Sequence, residues 1–134
     1  MLLDTGPLVA YLNRRESTHP WVRDTFTQQH GPFFTCEPVL TEACFLLQHL
    51  PRAIDQIETW LEVAQIQVTF RLSEAHARVF QLMEKYKELP MSLADASLVA
   101  MVEAGLGDRV FTLDPHFRTY RHSGRRVVPV LMPG

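Results

Sequence analysis

Four acidic residues stand where a fold could bring their side chains together: Asp4, Glu42, Asp95 and Asp114. Asp4 directly follows Leu2-Leu3, and Asp114 directly follows Val110-Phe111-Thr112-Leu113. Both stretches read as strands, so a parallel arrangement delivers the two carboxylates to one edge of a sheet. Asp95 opens a helical stretch that precedes the second of these strands. Glu42 falls about one turn inside the helical stretch after Phe33-Phe34-Thr35. Right-handed connections bring both within reach of the same edge. Two carboxylates about 5 Å apart repel by roughly 3 kcal/mol at an effective dielectric of about 20. A cluster of four therefore raises its own pKa values unless a cation sits among them. Oxygen donors favour Mg2+ or Mn2+ over zinc, which takes His and Cys at paired spacings that this chain lacks. A hard cation held by carboxylates suits hydrolysis of a phosphodiester: it acidifies a bound water, orients it for in-line attack and neutralises charge on the departing oxygen.

Each acid also has a purely structural reading. Asp95 completes a Ser92-x-x-Asp95 helix start, Asp4 can cap the helix that follows it, and Asp114 before Pro115 suits a turn. Glu42 lies among Val39, Leu40, Ala43, Phe45 and Leu46, which suggests a helix with little solvent-facing surface. An acid in that setting needs a partner.

The elements that must position these residues follow one another without linker or repeat. Asp4-Thr5-Gly6-Pro7 leads into helical spacing at Leu8, Val9, Tyr11 and Leu12. Thr18 and Pro20 start a helix that ends at Gly31, and Pro38 opens another to about Leu50. Pro51 opens a helix through Ala64, and Ile66-Gln67-Val68-Thr69-Phe70 alternates as a strand. Ser73 caps a helix with Ala77, Phe80, Leu82, Met83 and Tyr86 on its apolar face, stopping near Leu89-Pro90. Ser92 starts the next, which stops at Gly105. Val127-Val128-Pro129-Val130-Leu131 is the last strand, demoted to a sheet edge by its proline. With no hairpin turn between any two strands, the expected fold is α/β: three layers, a parallel sheet of about five short strands with helices on both faces. Ligands in such sheets bind beyond the carboxyl ends of the strands, where the strand order switches.

A length of 134 residues with 46% hydrophobic side chains predicts one domain spanning 1–134. No run approaches the roughly 18 apolar residues needed to cross a bilayer, so the expectation is a cytoplasmic protein without a membrane partner. Cys36 and Cys44 read as small buried hydrophobes rather than a disulfide. The net charge of −2 argues against nucleic-acid binding through bulk positive potential. Residues 118 to 126, RTYRHSGRR, nevertheless carry +4 and leave −6 to the rest of the chain. Arg118, Arg121, Arg125 and Arg126 are thus candidate substrate contacts, or a solvated loop. Tyr120 among them is a candidate base-stacking side chain for single-stranded RNA. Trp21, Phe26 and Trp60 have helical spacing and read as core or interface packing.

Four stretches in order, MLLDTGPLVAYL, PVLTEACFLL, SLADASLVA and FTLDPHF, resemble the four acidic motifs of the PIN-domain family. The resemblance covers nearly the whole chain, and its size and motif order are similar to the single-domain toxins of VapC type. It implies a metal-dependent endoribonuclease that uses Mg2+ or Mn2+, the toxin of a toxin-antitoxin pair. It further implies an RNA substrate, a homodimer and a cognate antitoxin protein. Carried onto this chain, it makes Asp4, Glu42, Asp95 and Asp114 the catalytic and metal-binding set, supported by Thr5 and Thr112. Asp4 and Asp95 hold the principal ion, Asp114 contributes directly or through water, and Glu42 positions water or a second ion. Two departures stand out: only three residues precede Asp4, and Leu113 occupies a position where many relatives carry a basic residue.

The alternative is a non-catalytic PIN-fold module that binds RNA or protein. A response-regulator-like phosphoacceptor lacks the strand-end lysine it needs, because Lys85 and Lys87 lie in a helix. A dinucleotide-binding fold lacks its glycine fingerprint.

Overall fold

The computed structural model describes residues 1–134. Five parallel strands form the central sheet: β1 (Leu2–Leu3), β2 (Phe33–Thr35), β3 (Ile66–Val68), β4 (Val110–Phe111) and β7 (Val130–Leu131), in the order β3-β2-β1-β4-β7. Six helices connect them: α1 (Thr5–Leu12), α2 (His19–Gln28), α3 (Glu37–Leu46), α4 (Pro51–Glu62), α5 (Leu72–Lys85) and α6 (Leu93–Glu103). The strand order switches at β1, which lies between β2 and β4 and pairs with both in parallel. The expected three-layer α/β/α architecture is therefore present, with β7 at a sheet edge as Pro129 requires.

The pleat divides the core in two. Leu2 and Val110 point into one cluster with Val79, Leu82, Leu98 and Met101 from α5 and α6. Leu3 and Phe111 point the other way, into a cluster with Leu8, Val22, Ala43 and Ile57 from α1 to α4. Tyr11, Trp21, Phe26 and Trp60 pack against this second cluster as partly buried residues. Tyr11 and Phe26 have ring centroids 4.6 Å apart, and Trp21 meets Phe111 edge-on at 5.7 Å. The aromatic side chains pack on one another, as their helical spacing suggests, and Tyr11, Phe26 and Trp60 also border a surface hollow.

Gly107 shows how tightly the middle of the sheet is filled. A Cβ at this position would fall 2.4 Å from Cδ2 and 2.6 Å from Cγ of Leu2. Leu2 is fully buried, in contact with the core on its side of the sheet. Gly107→Ala is expected to cost about 1–3 kcal/mol through overpacking, seen as a lower urea midpoint with an unchanged m-value. An unaltered midpoint would show that Leu2 can move aside.

Several boundaries differ from the sequence reading. The α3 helix ends at Leu46 rather than Leu50. Arg71, not Ser73, is the N-cap residue of α5, and its side chain makes no capping bond. The inward face of α5 uses Ala75, Val79, Leu82 and Met83, whereas Phe80 points outward and is 56% exposed. The last strand is also shorter, because Val127 belongs to an unexpected antiparallel hairpin, β5 (Arg121–His122) with β6 (Arg126–Val127). Ser123, Gly124 and Arg125 form its three-residue turn, with positive φ of 47° at Ser123 and 94° at Gly124. The arginine segment is thus a built hairpin rather than a loop.

Candidate active site

The four acids line one cleft of about 360 Å³ beyond the carboxyl ends of β1 and β4, where the strand order switches. Asp4 follows β1 and caps α1: its Oδ1 accepts from the Thr5 N–H at 2.7 Å. Its Oδ2 accepts from the Thr112 hydroxyl at 2.7 Å. The same hydroxyl oxygen accepts from the Asp114 N–H at 3.0 Å, so Thr112 ties the ends of β1 and β4 together. Asp95 sits in the first turn of α6 and forms a complete capping box with Ser92. Asp114 caps the single-turn helix Pro115–Arg118, accepting from the His116 N–H at 2.9 Å. Glu42, on α3, accepts from the Thr5 hydroxyl at 3.3 Å.

The structural readings of the three aspartates are therefore all realised, and they leave room for chemistry. Oδ2 of Asp95 accepts from both Ser92 N–H (3.1 Å) and Tyr120 O–H (3.2 Å), and Oδ1 has no protein partner. Oδ1 of Asp114 takes the His116 N–H and lies 3.1 Å from His116 Nδ1, leaving Oδ2 free. Oε1 of Glu42 is likewise unpartnered. Asp95, Asp114 and Glu42 are each anchored by one oxygen and offer the other, whereas both oxygens of Asp4 accept a hydrogen bond.

Asp4 is buried among these groups, and its carboxyl is pushed up to about 7. Burial is the main cause, with Asp95 and Asp114 adding repulsion, while the hydrogen bonds from Thr112 and Thr5 oppose the rise. Asp95 is also held above the usual carboxylate range, chiefly by burial, with Asp114 adding to it. The cleft lining contains Asp4, Glu16, Glu42, Asp95 and Asp114 and no lysine or arginine. Negative charge gathered in this way calls for a cation, and its oxygen-only donors fit a hard divalent one. No three His, Cys, Asp or Glu side chains come close enough to enclose an ion. Mg2+ commonly takes one or two carboxylates and fills its remaining positions with water and phosphate oxygens.

The side chains differ from the sequence reading in four places. Glu42 is exposed: the outer face of α3 also carries Phe45 and Leu46 into solvent, 67% and 46% exposed, so the helix is less buried than its composition suggests. Tyr120 is fully buried against Phe117 and Tyr86, so it offers no ring face to a base. Its hydroxyl reaches Asp95 instead. The Arg121 guanidinium turns back on its own chain, donating to the carbonyls of Arg118, Thr119 and Tyr120 at 2.7 to 3.1 Å. It is a structural arginine, which leaves Arg118, Arg125 and Arg126 exposed. Glu16 is a fifth acid of the cleft that the sequence reading missed. It lies in the bend between α1 and α2, where no periodicity or motif marks it.

No curated protein matches this chain in sequence. Among solved structures it is similar to VapC20 of Mycobacterium tuberculosis, described as a sarcin-ricin loop cleaving toxin. The identity is 16%, with 84% of this chain and 88% of that chain covered and a TM-score of 0.75. At that identity the likeness is one of fold. The model of the PIN domain matches residues 1–122, a span that includes β1, β4 and all four cleft acids from Asp4 to Asp114. The chain therefore belongs to the PIN-domain family.

Proposed function

We propose that residues 1–134 form one catalytic domain, a divalent-metal-dependent endoribonuclease that is the toxin of a toxin-antitoxin pair. The observation that carries this reading is the convergence of Asp4, Glu42, Asp95 and Asp114 on one cleft with no basic residue in its lining. Family membership and a fold shared with a sarcin-ricin loop cleaving toxin support it. In this reading Asp4 and Asp95 hold Mg2+ or Mn2+, Asp114 takes part directly or through water, and Glu42 orients the attacking water. When bound, the ion acidifies that water and offsets charge on the departing oxygen. Thr112 fixes the Asp4 carboxylate, Thr5 steadies Glu42, and Tyr120 with Ser92 fixes Asp95. The same reading has the protein act in the cytoplasm as a homodimer, restrained by a cognate antitoxin. The test is direct: purified protein should cut RNA internally in Mg2+ or Mn2+, and EDTA should stop it. Binding of RNA without cleavage under either ion would favour the non-catalytic module.

Because the cleft repels phosphates, grip on the substrate must come from outside it. Arg118, Arg125 and Arg126 supply exposed charge beside the Asp114 turn and on the hairpin. Neutralising all three to glutamine is expected to weaken RNA binding and reduce the slope of log K against log salt by about 2, at roughly 0.7 per phosphate contact on a single strand. An unchanged slope would remove these arginines from the interface.

A further inference from the structure

Two hollows meet at the far end of α1, outside the acidic cleft. One, of about 420 Å³, is lined by Tyr11, Arg14, His19 and Arg23. The other, of about 180 Å³, has Tyr11, Phe26, Phe33 and Trp60 in its walls, with Gln29 and Gln65 beside them. Tyr11 is the partition they share.

The first hollow is arranged for an anion. Arg14 is exposed and takes part in no ion pair. Arg23 touches only Asp24, an exposed pair at 3.3 Å that is screened by solvent. His19 Nδ1 lies 2.7 Å from the Ala10 carbonyl. A carbonyl only accepts, so Nδ1 carries a proton, and Nε2 donates to an anion when the ring holds a second proton. The second hollow is arranged for a flat, polar-edged ring. Phe26 and Trp60 lie within 16° of parallel with centroids 6.4 Å apart, and Tyr11 leans on both at 4.6 and 5.5 Å. The amides of Gln29 and Gln65 bring donors and acceptors to the wall. Single-stranded nucleic acid is held by positive charge along its backbone combined with aromatic side chains on which bases stack.

The hollows also connect to the acids. Ala10 and Glu16 line the acidic cleft, and it is the Ala10 carbonyl that holds His19. Tyr11 lies seven residues along the chain from Asp4, about 10 Å at 1.5 Å per residue of helix. That is a distance a few nucleotides can span.

We propose that this end of α1 is a nucleotide exosite for single-stranded RNA, with a phosphate against Arg14, His19 and Arg23 and a base against the Tyr11–Trp60 wall. The inference rests on the endoribonuclease reading, and it assigns part of the substrate grip that the cleft lacks.

The test uses the full chain with Asp4→Asn, so that RNA is bound but not cut, and a six-nucleotide single-stranded RNA of mixed sequence as the probe. The chain has two tryptophans. Trp21 packs on Phe111, so quenching on RNA addition should come from Trp60 and vanish in Trp60→Phe. Replacing Arg14 and Arg23 by glutamine should lower the salt slope by about 1.4. Replacing Lys85 and Lys87, exposed at the end of α5 in the opposite helical layer, should leave it unchanged. Quenching that survives Trp60→Phe overturns the exosite, as does a slope that is insensitive to the arginines or equally sensitive to the lysines. If the wild-type chain still cuts RNA, the nuclease reading stands in each of those cases. A wild-type chain that neither binds nor cuts RNA overturns both.

Discussion

Asp4→Asn and Asp95→Asn are each expected to lower single-turnover RNA cleavage by about a thousandfold or more, a loss of roughly 4 kcal/mol of transition-state stabilisation. Both exchanges keep the shape of the side chain. In Asp4→Asn the amide oxygen can still accept from Thr5 N–H or the Thr112 hydroxyl, and in Asp95→Asn it can still accept from Ser92 N–H. The fold should therefore persist, as checked by circular dichroism. Cleavage of equal strength in wild type and both variants would identify a contaminating nuclease and reject the assignment of the acids.

The second large effect is on stability. Asp4 titrates near 3.8 in the unfolded chain and is pushed up to about 7 when folded without metal. Between those values the folded carboxyl holds a proton that the unfolded one has released, so stability falls as pH rises through this window. Fully developed, above about pH 7, the loss is on the order of 4 kcal/mol. Metal-free protein should accordingly melt at a higher temperature at pH 5 than at pH 8, as far as Asp4 is concerned. Asn carries no charge to bury, so Asp4→Asn should flatten this trend and raise the melting temperature at pH 8. Mn2+ should stabilise wild type most at pH 8, because binding the ion needs the ionised form. Calorimetry across this pH range, with and without EDTA, checks all three. A variant less stable than wild type at pH 8 in EDTA would show that the buried charge is compensated by something other than an ion.

Much of the cleft was legible because the acids sit at punctuation marks. Asp4 and Asp114 end apolar stretches, and Ser92-x-x-Asp95 is a local signal that the capping box realises. The alternation of strands and helices needed only periodicity, and Pro129 marked a sheet edge. What escaped depends on contacts remote in sequence. Tyr120 lies in a segment rich in arginine, and only the packing of Tyr86 and Phe117 around it reveals its burial. The β5–β6 hairpin has two-residue strands, too short for alternation to register. Phe45 and Leu46 made α3 read as buried, whereas their outward position leaves Glu42 exposed on the rim. Arg14 and Glu16 lie in the bend between α1 and α2, and the aromatic hollow draws its walls from α1, α2, β2 and α4, which no spacing rule brings together.

The strand that carries Asp4 precedes the other four strands of the sheet, yet one of its two neighbours is β4, and the Asp4–Thr112 bond joins residues 108 positions apart. During translation β1 must wait with one flank unpaired until β4 has left the ribosome. Chains released early lack Thr112 and Asp114 and so hold an incomplete set of acids. By this topology the four acids share one cleft only after β4 has been made and has paired with β1.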